Sequence, residues 1–228
     1  MIFVTGDLHL PIDIGKLNAH SFNTKEMTKN DYVIICGDFG GIWNYKGEDK
    51  EEKFWLDWLE EKPFTTLWVD GNHECFPRLF KDYPVENWNG GKVRKIRPSV
   101  IYLSRGQVFN IDGKKFFTMG GASSHDKEYR KEGISWWKEE LPSEEDYKEA
   151  LENLKQHNYK VDYVITHCMP DNVQNKIAYW YEHDKLTNFL FTIDKELEFI
   201  HWYSGHYHIT QMIDEKHTVL YNTIDRIY

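Results

Sequence analysis

Cysteine is scarce in this 228-residue chain, with three in total, Cys36, Cys75 and Cys168. They show no paired spacing and no CxxC, which excludes a disulfide-stapled scaffold and predicts buried free thiols in a reducing compartment. Long apolar runs are lacking too. None reaches 18 residues, so no helical membrane span is expected. Met1 leads straight into IFVTGD, which reads as a core strand rather than a secretory leader. The expectation is a cytoplasmic protein with no membrane partner. Positive charge is the minority sign: 28 Lys and Arg face 37 Asp and Glu, a net charge of −9. The densest basic stretch, GGKVRKIRP (90–98), is short and reads as a solvated loop. A duplex nucleic-acid partner is therefore disfavoured, since it demands a basic patch. Internal repeats, low-complexity tracts and clear linkers are also missing, so the chain is expected to form one domain, 1–228. Oligomeric state leaves no mark in the sequence.

What is present is a recurring unit: a short apolar run that ends in a polar loop. IFVT precedes GDLH, YVIIC precedes GDFGG, and TTLWV precedes DGNHE. DYVIT precedes HCMP, and FIHWY precedes SGHYH. Apolar runs of four to six residues bounded by Gly or Asp suit strands buried on both faces. Between them lie helical stretches. EDKEEKFWLDWLEEK (48–62) carries Phe54, Trp55, Trp58 and Leu59 as its apolar stripe. SEEDYKEALENLKQHN (143–158) opens on Ser143 as N-cap with Asp146 at the third helical position. Residues 100–121 read as three strands with a hairpin turn at Asp112-Gly113, and HITQMIDEKHTVLYNTI as another hairpin. Strands alternating with helices give an α/β layered domain with antiparallel additions.

In layered α/β sheets, ligands bind beyond the carboxyl ends of the strands. Five strand ends here carry metal-ligand chemistry: Asp7 with His9, Asp38, Asn72 with His73, His167, and His206 with His208. In an extended strand, residues two apart face one side, which puts His206 and His208 together with Tyr207 turned away. Imidazole and carboxylate together suit Mn, Fe or Zn, with Co and Ni as further options, better than Ca or Mg. Setting His73 aside, these candidate ligands exceed the four of a structural zinc site. The surplus asks for two ions, whose use would be to clamp the attacking and leaving oxygens of an in-line displacement. Asn72 reads either as a ligand or as a turn residue after Gly71.

GDLH, GDFGG, GNHE, the His of THCMP and GHYH resemble, in order, the sequence blocks of the calcineurin-like metallophosphoesterase superfamily. The resemblance spans residues 6–208. It implies a four-layer α/β/β/α sandwich of two mixed sheets flanked by helices, with a dinuclear site at the strand ends. It implies Asp7, His9 and His208 on one ion, Asn72, His167 and His206 on the other, and Asp38 bridging both. His73 is implied as general acid or phosphate clamp. The activity implied is hydrolysis of phosphate monoesters or diesters by a metal-bridging hydroxide. A nucleotide or cyclic-nucleotide phosphodiesterase and a protein or small-molecule phosphatase stay open. The reading from another class is a non-catalytic scaffold on the same fold.

Outside the blocks, Glu74 is a candidate to orient His73. His125 either touches substrate or sits in a plain loop. Arg130 either pairs with phosphate or makes a surface salt bridge. Trp43, Tyr45, Trp136, Trp137, Trp180 and Tyr181 either stack a base or pack. The stretch 75–160, with SWWKEELP (135–142) as a pocket wall or lid edge, together with the loop after GDFGG, is expected to set specificity.

Overall fold

The computed structural model describes residues 1–227. In chain order the strands are β1 (Ile2–Thr5), β2 (Tyr32–Cys36), β3 (Thr65–Val69), β4 (Val85–Trp88), β5 (Gly91–Arg97), β6 (Val100–Leu103), β7 (Gln107–Ile111), β8 (Lys114–Met119), β9 (Tyr163–Thr166), β10 (His201–Ser204), β11 (Gln211–Asp214), β12 (His217–Val219) and β13 (Ile224–Arg226). The α-helices are α1 (Lys50–Glu60), α2 (Phe76–Asp82), α3 (Glu144–Gln156), α4 (Asp171–Ile177) and α5 (Lys185–Glu196). No helix among the described residues is long and apolar enough to cross a membrane.

The strands form two mixed sheets, in the orders β13-β1-β2-β3-β6-β5-β4 and β11-β12-β10-β9-β8-β7. The alternation of side chains along each strand sets the layers. On β2, Ile34 and Cys36 join a core with Phe109, Phe116 and Ile165 of the second sheet. Val33 and Ile35 point the other way, into a core with Leu56 and Leu59 of α1 and Phe76 and Leu79 of α2. The outer face of the second sheet packs Val164 and Trp202 against Ala150, Leu154, Leu190 and Ile193 of α3 and α5. Helices therefore cover both outer faces, and the sheets face each other. β1, β2, β3 and β6 run parallel, as do β8, β9, β10 and β12. Their carboxyl ends consequently lie along one edge of each sheet.

Several local expectations need correction. The basic stretch 90–98 is not a loop. Asn89-Gly90, both with positive φ, makes a tight turn, and Gly91–Arg97 is a strand. Asn-Gly is a strong hairpin signal, and the basic composition masked it. On α1 the buried residues are Glu52, Leu56 and Leu59, while Phe54 is largely exposed. Glu52 is drawn inward by the buried Arg78, whose Nη1 donates to Glu52 Oε2 at 2.7 Å. The three strands in 100–121 divide between the sheets, β6 in the first, β7 and β8 in the second. After the C-terminal hairpin the chain returns to the first sheet, where β13 pairs antiparallel with β1. Most of residues 75–119 completes the two sheets, so only the segment between β8 and α3 is left to face the strand ends.

Candidate metal centre

Each strand end hands its polar residue to the gap between the sheets. Asp7, just past β1, is fully buried, and its Oδ1 accepts from the His206 backbone N–H at 2.8 Å. Asp38, just past β2, is 2% exposed. Its Oδ1 accepts from the backbone N–H groups of Asn72 and His73 at 2.8 and 2.9 Å. The loop after β3 thus hangs on the carboxylate that follows β2. No side chain fits at Gly71 or Gly205, where a Cβ would lie 2.1 Å from Asp38 Oδ1 or 2.0 Å from Asp7 Oδ1.

The backbone is strained where the candidate ligands sit. His9, Asp38, His206 and His208 all have positive φ, at 38°, 44°, 72° and 51°. Non-glycine residues adopt that region rarely, and when they do they cluster at functional sites. This also corrects the expected geometry of His206 and His208. β10 stops at Ser204, so strand alternation does not put the imidazoles together. Left-handed turns send them apart instead. His208 Nε2 lies 3.1 Å from Asp7 Oδ2, whereas the His206 ring packs edge-on to His167 at 4.9 Å. Tyr207 does turn away, its hydroxyl buried between the Met169 N–H and Gln174 Oε1.

The donor set is short of protons. His167 Nδ1 lies 2.7 Å from the Cys36 carbonyl, which can only accept, so the proton is on Nδ1. Its Nε2 then faces Asp38 Oδ1 at 3.3 Å, acceptor against acceptor. His9 repeats the pattern, with Nδ1 at 2.8 Å from Asp13 Oδ2 and Nε2 at 3.2 Å from Asp38 Oδ2. Asp7 Oδ2, Asn72 Oδ1 and His167 Nε2 are buried with no hydrogen-bond partner. Ligand atoms of Asp7, His9, Asp38 and His208 all lie within 4.8 Å of one another. The three orphaned acceptors fit a cation, and the mix of imidazole and carboxylate fits a transition metal. Electrostatics say the same. Burial opposes charge on His167, yet Asp38 and Asp7 push its pKa up to about 9. Burial likewise penalises a charged Asp38, but His167 and His9 hold its carboxyl well below the usual range. Burial, reinforced by His167, drives His206 well below its ordinary value, so that imidazole stays neutral.

His73 stands at the rim. Its Nε2 lies 3.1 Å from Arg130 Nη2, so here the guanidinium donates and the ring accepts. Burial pushes His73 below its ordinary value, and Arg130 adds to that against Asp38. Trp43 stacks on the ring at 5.8 Å. Glu74 does not orient His73. It is fully buried and accepts from the backbone of Phe39 and Gly40. His125 Nε2 lies 3.3 Å from His206 Nε2, and its ring packs 3.7 Å from that of Tyr181. Arg130 also pairs with Asp126 at 2.7 Å.

Other residues at the site carry no signal of their own in the sequence. Ser124 Oγ donates to Glu140 Oε2 at 2.6 Å and so accepts from Asn72 Nδ2 at 3.2 Å. That orients the Asn72 amide with Oδ1 free. Glu140, 1% exposed, also accepts from the Ser124 N–H. It belongs to the 135–142 stretch expected to form a pocket wall, where Trp137 is core. Asp13 Oδ2 meets His9 Nδ1 at 2.8 Å and so orients the ring, and Lys16 Nζ donates to the carbonyls of Gly6, Asp7 and Tyr221. The proximity of Asp13 to His9 in DLHLPID was the one available hint; Ser124 and Glu140 reach the site by tertiary contact alone.

The sequence model of the calcineurin-like phosphoesterases matches residues 1–210. Among curated proteins, lariat debranching enzyme A of Xenopus laevis is 28% identical over 143 residues, 57% of this chain. The match covers 25% of that relative's length.

Proposed function

This chain belongs to the calcineurin-like phosphoesterase family, and we propose that it is a metal-dependent hydrolase of phosphate esters with two ions at the strand ends. The observation that carries this is the set of buried acceptors, Asp38 against His9 and His167 above all, that only a cation or added protons can reconcile. In this reading Asp7, His9 and His208 hold one ion, Asn72, His167 and His206 the other, and Asp38 faces both. The donor chemistry favours Mn, Fe or Zn, with Co or Ni also suited. When bound, such ions lower the pKa of a water held there and neutralise the phosphoryl oxygens.

The chain's own residues supply the rest. The Cys36 carbonyl and Asp13 hold His167 and His9 with their Nε2 lone pairs inward. Arg130 brings a guanidinium able to pair with two phosphoryl oxygens. Once Arg130 turns to phosphate, His73 Nε2 is released to act at the leaving oxygen, as proton donor or as clamp. Hydrolysis joins the water oxygen to phosphorus and breaks the phosphorus–oxygen ester bond, with a proton ending on the leaving oxygen. In this reading the chain, 1–228, is a single domain, which the core shared by the two sheets supports.

The test is a panel of mono- and diester substrates in added Mn²⁺, comparing the native chain with Asp38→Asn. Near-complete loss of hydrolysis in the variant is expected. Native-like turnover by Asp38→Asn would sink the proposal.

A further inference from the structure

A cavity of about 490 Å³ opens beside the metal centre, walled by the 123–128 and 180–184 segments. His125 and Tyr181 line both this cavity and the smaller space over Asp38, Asn72, His73 and His206. One molecule can therefore occupy both. The volume lies within the range of small-molecule sites.

The lining chemistry narrows the occupant. Trp180 is 67% exposed, an unusual position for so large an apolar ring. Tyr181 is fixed beside it, packed on His125 at 3.7 Å and stacked on Tyr207 at 5.6 Å. The Trp180 ring stands edge-on to Tyr181, at 6.2 Å and 84° between planes, so Tyr181 forms a fixed edge and Trp180 alone offers an open face for a flat, unsaturated group. The charges around them are mostly acidic. Glu128, Glu182 and Asp184 line the cavity, Asp184 being committed as the cap of α5, where its Oδ1 accepts from the Thr187 N–H at 2.9 Å. Lys127 is already engaged by Ser123 Oγ at 2.6 Å and by Glu140 at 3.3 Å. Carboxylates repel a second phosphate and accept hydrogen bonds from amino groups. A planar heterocycle bearing an exocyclic amine, on a sugar joined to a single phosphoryl group, meets all of these conditions.

We propose that this cavity is a nucleoside subsite, so that the substrate is a phosphate ester of an amino-bearing nucleoside such as adenosine or cytidine. The inference rests on the phosphoesterase reading above for where the phosphoryl group sits.

The test uses the full chain in Mn²⁺ and two readouts. The first is the heat of binding of adenosine, which carries no phosphate, by titration calorimetry. Trp180→Ala should weaken adenosine binding about tenfold, as expected for loss of one base–aromatic stack. The second compares matched esters: adenosine 5′-(p-nitrophenyl phosphate) against methyl p-nitrophenyl phosphate, and adenosine monophosphate against glycerol phosphate. In whichever pair is hydrolysed, the nucleoside member should have at least about tenfold higher kcat/KM, and Trp180→Ala should bring that ratio towards one. Equal kcat/KM within the pair, together with no measurable adenosine binding, would overturn the subsite and leave the phosphoesterase reading standing. Adenosine binding that depends on Trp180, without hydrolysis of any ester, would keep the subsite and overturn the phosphoesterase reading instead.

Discussion

His167 presents Nε2 to Asp38 Oδ1 at 3.3 Å while its Nδ1–H is committed to the Cys36 carbonyl at 2.7 Å. Two acceptors face each other where both side chains are almost wholly buried. In the absence of metal, a proton resolves the conflict, which is why the imidazole titrates near 9. A metal ion resolves it by displacing that proton.

Metal should therefore stabilise the fold as well as enable catalysis. At about a hundredfold excess over Kd, binding adds about 2.7 kcal/mol. For a chain of this size that corresponds to roughly 5–10 °C in Tm. Stripping with a chelator and restoring Mn²⁺ should move the melting curve down and back by that amount. Asp38→Asn should show no metal-dependent shift. A native protein whose Tm ignores both chelator and Mn²⁺ would contradict the assignment.

Ser124 and Glu140 should matter through Asn72. Ser124→Ala frees the Asn72 amide to rotate, and loss of such supporting contacts typically weakens metal affinity by about 10–100-fold. The expected signature, read by competition with a chromogenic chelator, is one ion retained tightly and one weakened. Glu140→Gln should show the same pattern plus about 1–3 kcal/mol of lost stability, because a buried acceptor pair is replaced by a half-mismatched amide. Equal weakening of both ions would point to general loosening rather than to Asn72.

His73 and Arg130 separate by leaving group. If His73 donates a proton, His73→Asn should slow esters of alkyl alcohols by about 10²–10⁴-fold and nitrophenyl esters far less. Equal losses on both would make it a clamp. Arg130→Lys should raise KM for either class, since the bidentate fork is lost while the charge remains. An unchanged KM would leave Arg130 as a surface partner of Asp126.

A pH-dependent element lies away from the site. His217 sits between Asp194 at 3.1 Å and Asp214 at 2.7 Å. Burial disfavours its charge, but hydrogen bonds to the two carboxylates outweigh this and raise its pKa. The stability from a raised histidine is fully present below its unfolded pKa of about 6.5 and is lost as pH rises through the folded value. Burial pushes Asp194 and Asp214 up, yet His217 and their other partners leave both below the ordinary value. Their share is present above about pH 4 and is lost as pH falls through the folded values. Urea unfolding of His217→Gln should thus show its greatest deficit, about 1–3 kcal/mol, near pH 5–6 and a shrinking one towards pH 9. A deficit that is flat with pH would mean packing alone.

The strand cores and the polar residues that follow them were legible because both are local. A run such as YVIIC buries both faces of a strand whatever surrounds it, and a parallel strand must release its polar residues at its carboxyl end. Metal-ligand residue types in those positions are readable for the same reason: their chemistry is carried by the side chain itself. Phe54 was misread because an apolar stripe does not reveal that Arg78, distant in sequence, draws Glu52 inward. GGKVRKIRP was misread because composition masked the Asn-Gly turn.

Which residue types stand at the five strand ends can be read along the chain, and with them the possibility of cation chemistry there. The tertiary structure alone decided where each points. His206 and His208 diverge through left-handed turns, not strand alternation, and His167 and His9 present Nε2 because Cys36 and Asp13 occupy their other nitrogens. Ser124 and Glu140 orient Asn72 from a segment about 50–70 residues away in sequence. Direction and tautomer depend on partners brought together only when two sheets close on one core, and no local pattern encodes contacts of that separation.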